Sequence, residues 1–578
     1  MDSSTLGLGF LSKLLTSSLL LFSSWSPGEH HTACLALKSS LNVENTTIID
    51  VSYVRAGSKV ATLGTCAKRA DVSVPLCRVQ FFTNTTTTSV VHGEAWLPDE
   101  WYGRFLGLGN GGLGGCIDYG GLDYGSSLHF ATVGSNNGHD GMGGAAFLGH
   151  PEVINDFAFR AIHVEAVVGK QIVEAYYGRP HSKSYYMGCS TGGRQGTQAA
   201  LKFPADFDGI VAGAPATDFN RLVHWTNMLT QYIGAPASHS SPALIPQELW
   251  NAVEAEVIRQ CDGIDGVLDG IITEPDACDF RPEALLCHPE AALDTCLTRA
   301  QVEALRKIYS PLYGPGNQLL YPRFDPGAIY IPGDVFSGDI PERSKDWLQY
   351  AVLNDTGFDF REYGLEHAVL MDEINPGGVA AFDGDLSAFR DRGGKFITYH
   401  GRKDPASNSK RMYDLVSRTL RMPSLDTFYR LFLVPGMVHC TFTPGASRFG
   451  QYQRGSNAVN ASSHNILLAL VDWVEGGEAA APDTIVGTAE DGATRVHCRY
   501  PQRSVWDAAE GRFGFTFEDL CGRFAHPKPP HFGTVRQTSS PFKTRQAETL
   551  GGLEPSVDDS RAPDSSRSKT SVPQIHNS

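Results

Sequence analysis

The middle of the chain reads as short apolar runs alternating with a longer periodic pattern. Ser184-Tyr185-Tyr186 suits a strand, and Ile210-Val211-Ala212-Gly213-Ala214-Pro215 suits a parallel strand buried on both faces. Between them Arg194 to Lys202 suits a helix. Before them, Asn155 to Tyr177 places Ala161, Val164, Val168, Ile172 and Ala175 three and four residues apart, which predicts a helix leading into the first of these strands. Still earlier, Arg78 to Phe82 and Ser89 to Leu97 are β-rich, and Phe105 to Leu108 feeds the glycine-rich loop Gly109 to Cys116. Strand, helix and strand in this alternation predict an α/β chain built on a doubly wound sheet.

Near Asn220 the alternation stops. From Arg221 to about Asp385 the chain is rich in Pro, Asp and Cys, with scattered helical patterns such as Thr298 to Tyr309. Sheet logic returns at Lys395 to Gly401 and Phe428 to Val434, and Ser463 to Glu475 reads as a closing helix. The predicted organisation is therefore a core over 27–220, an inserted lid domain over 221–385, and the rest of the core over 386–525. Residues 526–578, poor in apolar side chains and rich in Pro, Ser, Thr, Arg and Asp, are expected to form a disordered tail. An insertion between two sheet halves lies over the mouth of the site.

Composition narrows the class without fixing the reaction. The 578 residues are 41% hydrophobic and 19% charged, and the net charge of −15 argues against a nucleic-acid partner. The apolar run Leu14 to Phe22 has the length of a signal-peptide core and is too short to span a bilayer, so residues 1–26 are expected to be removed on secretion. No later stretch is apolar enough to cross a membrane. Twelve cysteines suit an oxidising compartment, and sequons at Asn45, Asn84, Asn354 and Asn460 suit a glycoprotein.

Chemistry enters at Gly188-Cys189-Ser190-Thr191-Gly192. This fits G-x-S-x-G, the sharp strand-to-helix turn that exposes a serine hydroxyl, and its glycines let the helix pass close to the strand. A glycine-rich turn with an ordinary capping serine is the competing reading. Serine needs a histidine to take its proton and a carboxylate to orient that histidine. The order Ser, acid, His points to Asp404, just past one predicted strand, and His439, just past the next. Taken singly, Asp404 is a turn residue and His439 a loop histidine; position and order join them to Ser190. The N–H of Thr191 and those of the loop at Gly111 and Gly112 are candidate oxyanion donors, against the reading of that loop as a flexible surface segment. Cys189 and Cys440 flank the serine and the histidine. A bridge between them would clamp the two loops, though each could be a free thiol or have another partner.

These residues resemble the tannase and feruloyl esterase family of secreted serine esterases. The likeness runs through Phe130 to Ser135, Asn155 to Gly178, Gly188 to Gly196, Phe203 to Ala216, His400-Gly401 with Asp404, and Val434-Pro435-Gly436 with His439-Cys440, within roughly residues 34–522. The resemblance implies the triad Ser190, Asp404 and His439 and the bridge Cys189–Cys440. It implies further pairs Cys34–Cys77, Cys66–Cys116, Cys261–Cys278, Cys287–Cys296 and Cys498–Cys521. Arg402-Lys403 departs from the usual less basic pair and puts substrate preference in question; the tail is also long.

Within the insertion, Asp262, Asp265 and Asp269 lie among glycines in a loop able to wrap a hard cation, although not with EF-hand spacing. An acidic turn is the alternative from spacing alone. The resemblance implies a structural calcium ion (Ca2+) there, with the carbonyls of Val267 and Ile271 completing the shell. It also implies hydrolysis of small phenolic esters or plant cell-wall oligosaccharide esters of ferulate type. The alternatives are a tannase acting on galloyl esters and a catalytically inactive binding protein.

Overall fold

The computed structural model describes residues 26–523 apart from 289–294, 329–334, 406–407, 441–444, 452–460, 508–511 and 514–520. The predicted signal segment, the tail and the sequon at Asn460 lie outside the described residues. The other three sequon asparagines are exposed.

Nine strands form the central sheet: β1 (Thr46–Val54), β2 (Leu76–Asn84), β3 (Val90–Pro98), β4 (Arg104–Leu108), β5 (Phe130–Ser135), β6 (Lys183–Cys189), β7 (Gly209–Gly213), β8 (Lys395–Gly401) and β9 (Tyr429–Val434). Their order is β1-β2-β3-β5-β4-β6-β7-β8-β9. From β5 to β9 every pairing is parallel, while β1, β2 and β3 join antiparallel at one edge. The parallel strands are largely apolar because helices cover both faces. Phe105, Tyr186, Ile210 and Phe396 pack on one side with Ile162, Ala166 and Ala199. Leu106, Tyr185, Met187, Val211 and Ile397 pack on the other with Ile466, Leu470 and Trp473. Successive residues of one strand thus enter opposite cores, as the pleat requires.

The helix expected over Asn155 to Tyr177 is regular only from Ala161 to Tyr177. Asp156–Arg160 is a π-helical turn and Pro151–Asn155 a short helix before it. The cause is Asp156, which is fully buried and accepts from Thr85 Oγ1 at 2.8 Å, Ser89 Oγ at 2.5 Å and Arg160 Nε at 2.5 Å. A widened turn lets one carboxylate take hydrogen bonds both from its own helix and from the turn between β2 and β3, which apolar spacing does not report.

The inserted segment has its own apolar core, with Trp225, Val253, Leu305, Ile308, Tyr321 and Phe336 among its members. Its first helix, Phe219–Tyr232, begins before the sequence-derived boundary. The segment packs in the same compact unit as the sheet. Arg402 and Lys403 explain part of that attachment. Arg402 is buried beside Asp276 (3.3 Å) and Asp325 (4.0 Å), and Lys403 pairs with Glu254 at 3.1 Å. The basic pair therefore holds the insertion to the end of β8, and neither residue is among those lining the cleft described below.

Candidate active site

The turn after β6 has the strain that its glycines imply. Ser190 lies at φ +64°, a left-handed conformation that is rare for a residue with a β-carbon. A β-carbon on Gly188 would sit 2.8 Å from the Gly192 Cα, and one on Gly193 would sit 2.6 Å from the Gly213 carbonyl oxygen. The serine is held by backbone on both sides: its N–H donates to Gly213 O at 2.9 Å, and its carbonyl accepts from Arg194 N and Ala216 N. The helix Thr191–Lys202 starts immediately after it, so Thr191 supplies one of the unpaired N–H groups of a helix start.

Asp404 stands just past β8 and His439 just past β9. The two loops are laced together, since Lys403 N donates to Met437 O at 2.9 Å and Arg402 N to Val434 O at 2.8 Å. Asp404 is buried, and its Oδ2 lies 2.7 Å from His439 Nδ1. The His439 side chain is half exposed in the cleft wall, so its Nε2 edge is open to a reactant. Burial alone would lower the His439 pKa, but the facing Asp404 carboxylate and its hydrogen bond outweigh that, and the pKa is raised from 6.5. Ser190 and His439 each precede or follow a half of the Cys189–Cys440 bridge, whose Cα atoms are 6.4 Å apart across 251 residues of sequence. Among the described residues no direct hydrogen bond joins Ser190 Oγ to the His439 ring, a contact of the kind that tightens with substrate.

One cleft of about 1090 Å³ gathers Ser190, Thr191, Gly111, Gly112, Asp404 and His439. Phe219, Leu222 and Val223 of the insertion form an apolar wall, with Arg343 beside them. Arg69, Asp71 and Tyr119 add polar groups to the lining, so the cleft is mixed in character, with apolar and polar walls.

In the glycine-rich loop, Gly109 N donates to Met187 O and Asn110 N to Gln195 Oε1, so these two are taken and Gly111 and Gly112 remain among the oxyanion candidates. Thr191 Oγ1 donates to Gly112 O at 2.6 Å and keeps the loop against the elbow.

His400 was quoted in the sequence only as part of its motif. It is buried, donates to or accepts from Ser409 Oγ at 2.7 Å, and sets Nε2 3.3 Å from Asp404 Oδ2. Burial pushes its pKa down to about 4, so it stands neutral beside the acid. Arg343 of the insertion, whose charge acts on His439 against the pull of Asp404, carries no local sequence signal, since the two are about a hundred residues apart.

Five of the six implied disulfides are present: Cys34–Cys77, Cys66–Cys116, Cys189–Cys440, Cys261–Cys278 and Cys287–Cys296. Cys498 is also disulfide-bonded, while the side chain of Cys521 lies outside the described residues.

The acidic loop matches a cation site in part. Asp262 Oδ2, Asp265 Oδ1 and Asp269 Oδ1 accept from Gly270, Val267 and Ile271 N–H groups at 3.2, 3.0 and 3.0 Å. The other oxygens of Asp262 and Asp265 are buried with no hydrogen-bond partner. Among the described residues no three His, Cys, Asp or Glu side chains are drawn together as a metal cluster, so main-chain carbonyls would have to supply the rest of a shell.

A strained serine elbow after a central parallel strand, followed in chain order by an acid and a histidine on the next strand ends, defines the α/β-hydrolase class. Within it, the profile of the family described as tannase and feruloyl esterase matches residues 77–326 and 346–514. A probable feruloyl esterase B of Aspergillus clavatus is 42% identical over 494 residues, covering 82% of this chain and 93% of that protein. A probable feruloyl esterase B-2 of Aspergillus flavus is 43% identical over 489 residues, covering 81% and 92%. The crystal structure of feruloyl esterase B from Aspergillus oryzae superposes with a TM-score of 0.79 at 39% identity, over 82% of this chain and 97% of that one. The chain belongs to the tannase and feruloyl esterase family and is a carboxylic ester hydrolase.

Proposed function

We propose that this chain is a secreted serine esterase that frees ferulate-type hydroxycinnamic acids from small phenolic esters and from plant cell-wall oligosaccharides. The observation that carries this reading is the Asp404–His439 pair at 2.7 Å beside an elbow serine bridged to the same loop. Ser190 Oγ attacks the ester carbonyl while His439 Nε2 takes its proton, and Asp404 orients the ring and stabilises the imidazolium. N–H groups of Thr191, Gly111 and Gly112 receive the oxyanion. The alcohol leaves with the proton held by His439, and water, activated by the same ring, releases the acid.

Ferulate over gallate is favoured by the named relatives, described as probable feruloyl esterases and matched over 93% and 92% of their length. Turnover of methyl ferulate against methyl gallate tests the preference: faster cleavage of the gallate would make the chain a tannase. Ser190→Ala should lower turnover by at least about 10⁴-fold with an unchanged melting temperature. Retained turnover, or failure of the unmodified chain to react with a fluorophosphonate at Ser190, would remove the mechanism.

Secretion is supported by the disulfides and by the exposed sequons, and among the described residues no helix is long and apolar enough to cross a membrane. Calcium is proposed in the acidic loop on the two orphaned carboxylate oxygens of Asp262 and Asp265, with Asp269 and the carbonyls of Val267 and Ile271 as further ligands. The ion would neutralise the loop and stiffen the insertion. EGTA should lower the melting temperature by several degrees, and Ca2+ but not Mg2+ should restore it; a melting temperature indifferent to EGTA would sink the assignment.

A further inference from the structure

Gln195 lies in the first turns of the helix that follows Ser190, and nothing above gives it a role. Its side chain is buried and reaches sideways to the glycine-rich loop. Asn110 N–H, which can only donate, bonds Gln195 Oε1 at 2.9 Å. That contact orients the rest of the amide: Nε2 donates to Asn110 Oδ1 at 2.9 Å and to Asn137 Oδ1 at 2.9 Å. Tyr186 Oη stands 3.4 Å from the same Oε1, with its one hydrogen donated to Gly192 O at 2.8 Å. Asn110 Nδ2 in turn donates to Cys116 O at 2.9 Å and Ser135 O at 2.8 Å, so the Asn110 amide ties both ends of the loop to β5. Both hydrogens of each of these two buried amides are used.

The two elements joined by this pair are the helix start at Thr191 and the loop carrying Gly111 and Gly112. Those are the two sources of oxyanion donors in the proposed reaction. We propose that Gln195 is a positioning residue, which with Asn110 and Asn137 fixes the separation of the two halves of the oxyanion hole. The inference rests on the reading of Ser190 as nucleophile. Thr191 Oγ1 reinforces the register through Gly112 O, but a single hydroxyl contact does not set the angle of the loop; the two-bond clasp between Gln195 and Asn110 does. Donors displaced by even an ångström would still allow substrate to bind but would miss the oxygen on which charge develops.

Three variants separate this role from simple stability. Gln195→Met removes the whole clasp, Gln195→Glu keeps an acceptor for Asn110 N–H but loses both donors, and Asn137→Ala removes only the outermost partner. With methyl ferulate, Gln195→Met should lose roughly 10-fold to 100-fold in kcat with KM changed no more than about twofold, and Asn137→Ala should show a smaller loss with the same split. Affinity for an arylboronic acid, whose adduct on Ser190 is tetrahedral and anionic, should fall in step with kcat, while affinity for free ferulate stays level. A folded Gln195→Met with wild-type kcat would overturn the proposal, as would equal weakening of boronate and ferulate. Should Gln195→Met not fold, wild-type kcat in both Gln195→Glu and Asn137→Ala overturns it as well. Turnover by Ser190→Ala would instead remove the underlying reaction, so the two failures are told apart.

Discussion

Asp404 faces two histidines with different tasks. His439 Nδ1 is 2.7 Å from its Oδ2, and His400 Nε2 is 3.3 Å from the same oxygen. His400, held near pKa 4 by burial, adds no charge at neutral pH, so the carboxylate keeps its full pull on His439. His439 acts as a base only when neutral, and its pKa is raised from 6.5. The acid limb of kcat/KM therefore rises with pH through that raised value. Asp404→Asn should move the limb to lower pH and cut kcat by about 10⁴-fold, read from a pH–rate profile with methyl ferulate. A limb that stayed in place would mean that a group other than His439 titrates there.

At the scale of elements, the site is an agreement between three loops at the same edge of the sheet. A β-carbon on Gly401 would overlap the Met437 and Val438 carbonyls, so the acid loop and the histidine loop approach as closely as main chain allows. The serine loop is joined to this pair by Cys189–Cys440. Replacing both cysteines by serine should cost about 2–5 kcal/mol of stability and lower kcat more than it raises KM, because the histidine loop loses its tie to the elbow. Thermal unfolding and steady-state kinetics on the double variant check both parts. The position of this bridge was visible from the cysteines flanking Ser190 and His439. The insertion's ties were not: the sequence shows Arg402 only as an unusually basic residue after the strand, and it lies buried against Asp276 and Asp325. A charge pattern reports that a side chain is polar, and only its partners decide whether it meets solvent or an acid from another element.

At the scale of the whole molecule, a buried acid links stability to pH through its protonation. Glu165 has no exposure and accepts from Leu108 N–H at 2.8 Å, at the end of β4 where the glycine-rich loop begins. Burial raises its pKa to about 8. The folded chain keeps this proton up to about pH 8, whereas the unfolded chain releases it near 4.5, so the group makes stability fall as pH rises between those values. Glu165→Gln should flatten the decline of melting temperature between pH 5 and 8 relative to the unmodified chain. Parallel declines in the two proteins would refute the assignment.

The amino-acid sequence by itself determined the alternation of strands and helices, the elbow at Ser190, and the order in which Asp404 and His439 follow it. These are local matters of side-chain period, glycine sterics and the placing of loops after strands, and a local pattern survives in one dimension. It stopped short at the π-turn of Asp156, at Phe219 as the true start of the first inserted helix, and at the partners of Arg402, His400 and Gln195. The partners of Asp156, Arg402 and Gln195 lie dozens to more than a hundred residues away, and those of His400, though only four and nine residues on, are met through the turn after its strand; a hydrogen bond or ion pair is decided by where the second partner comes to rest. Only the folded chain brings those partners within 3 to 4 Å.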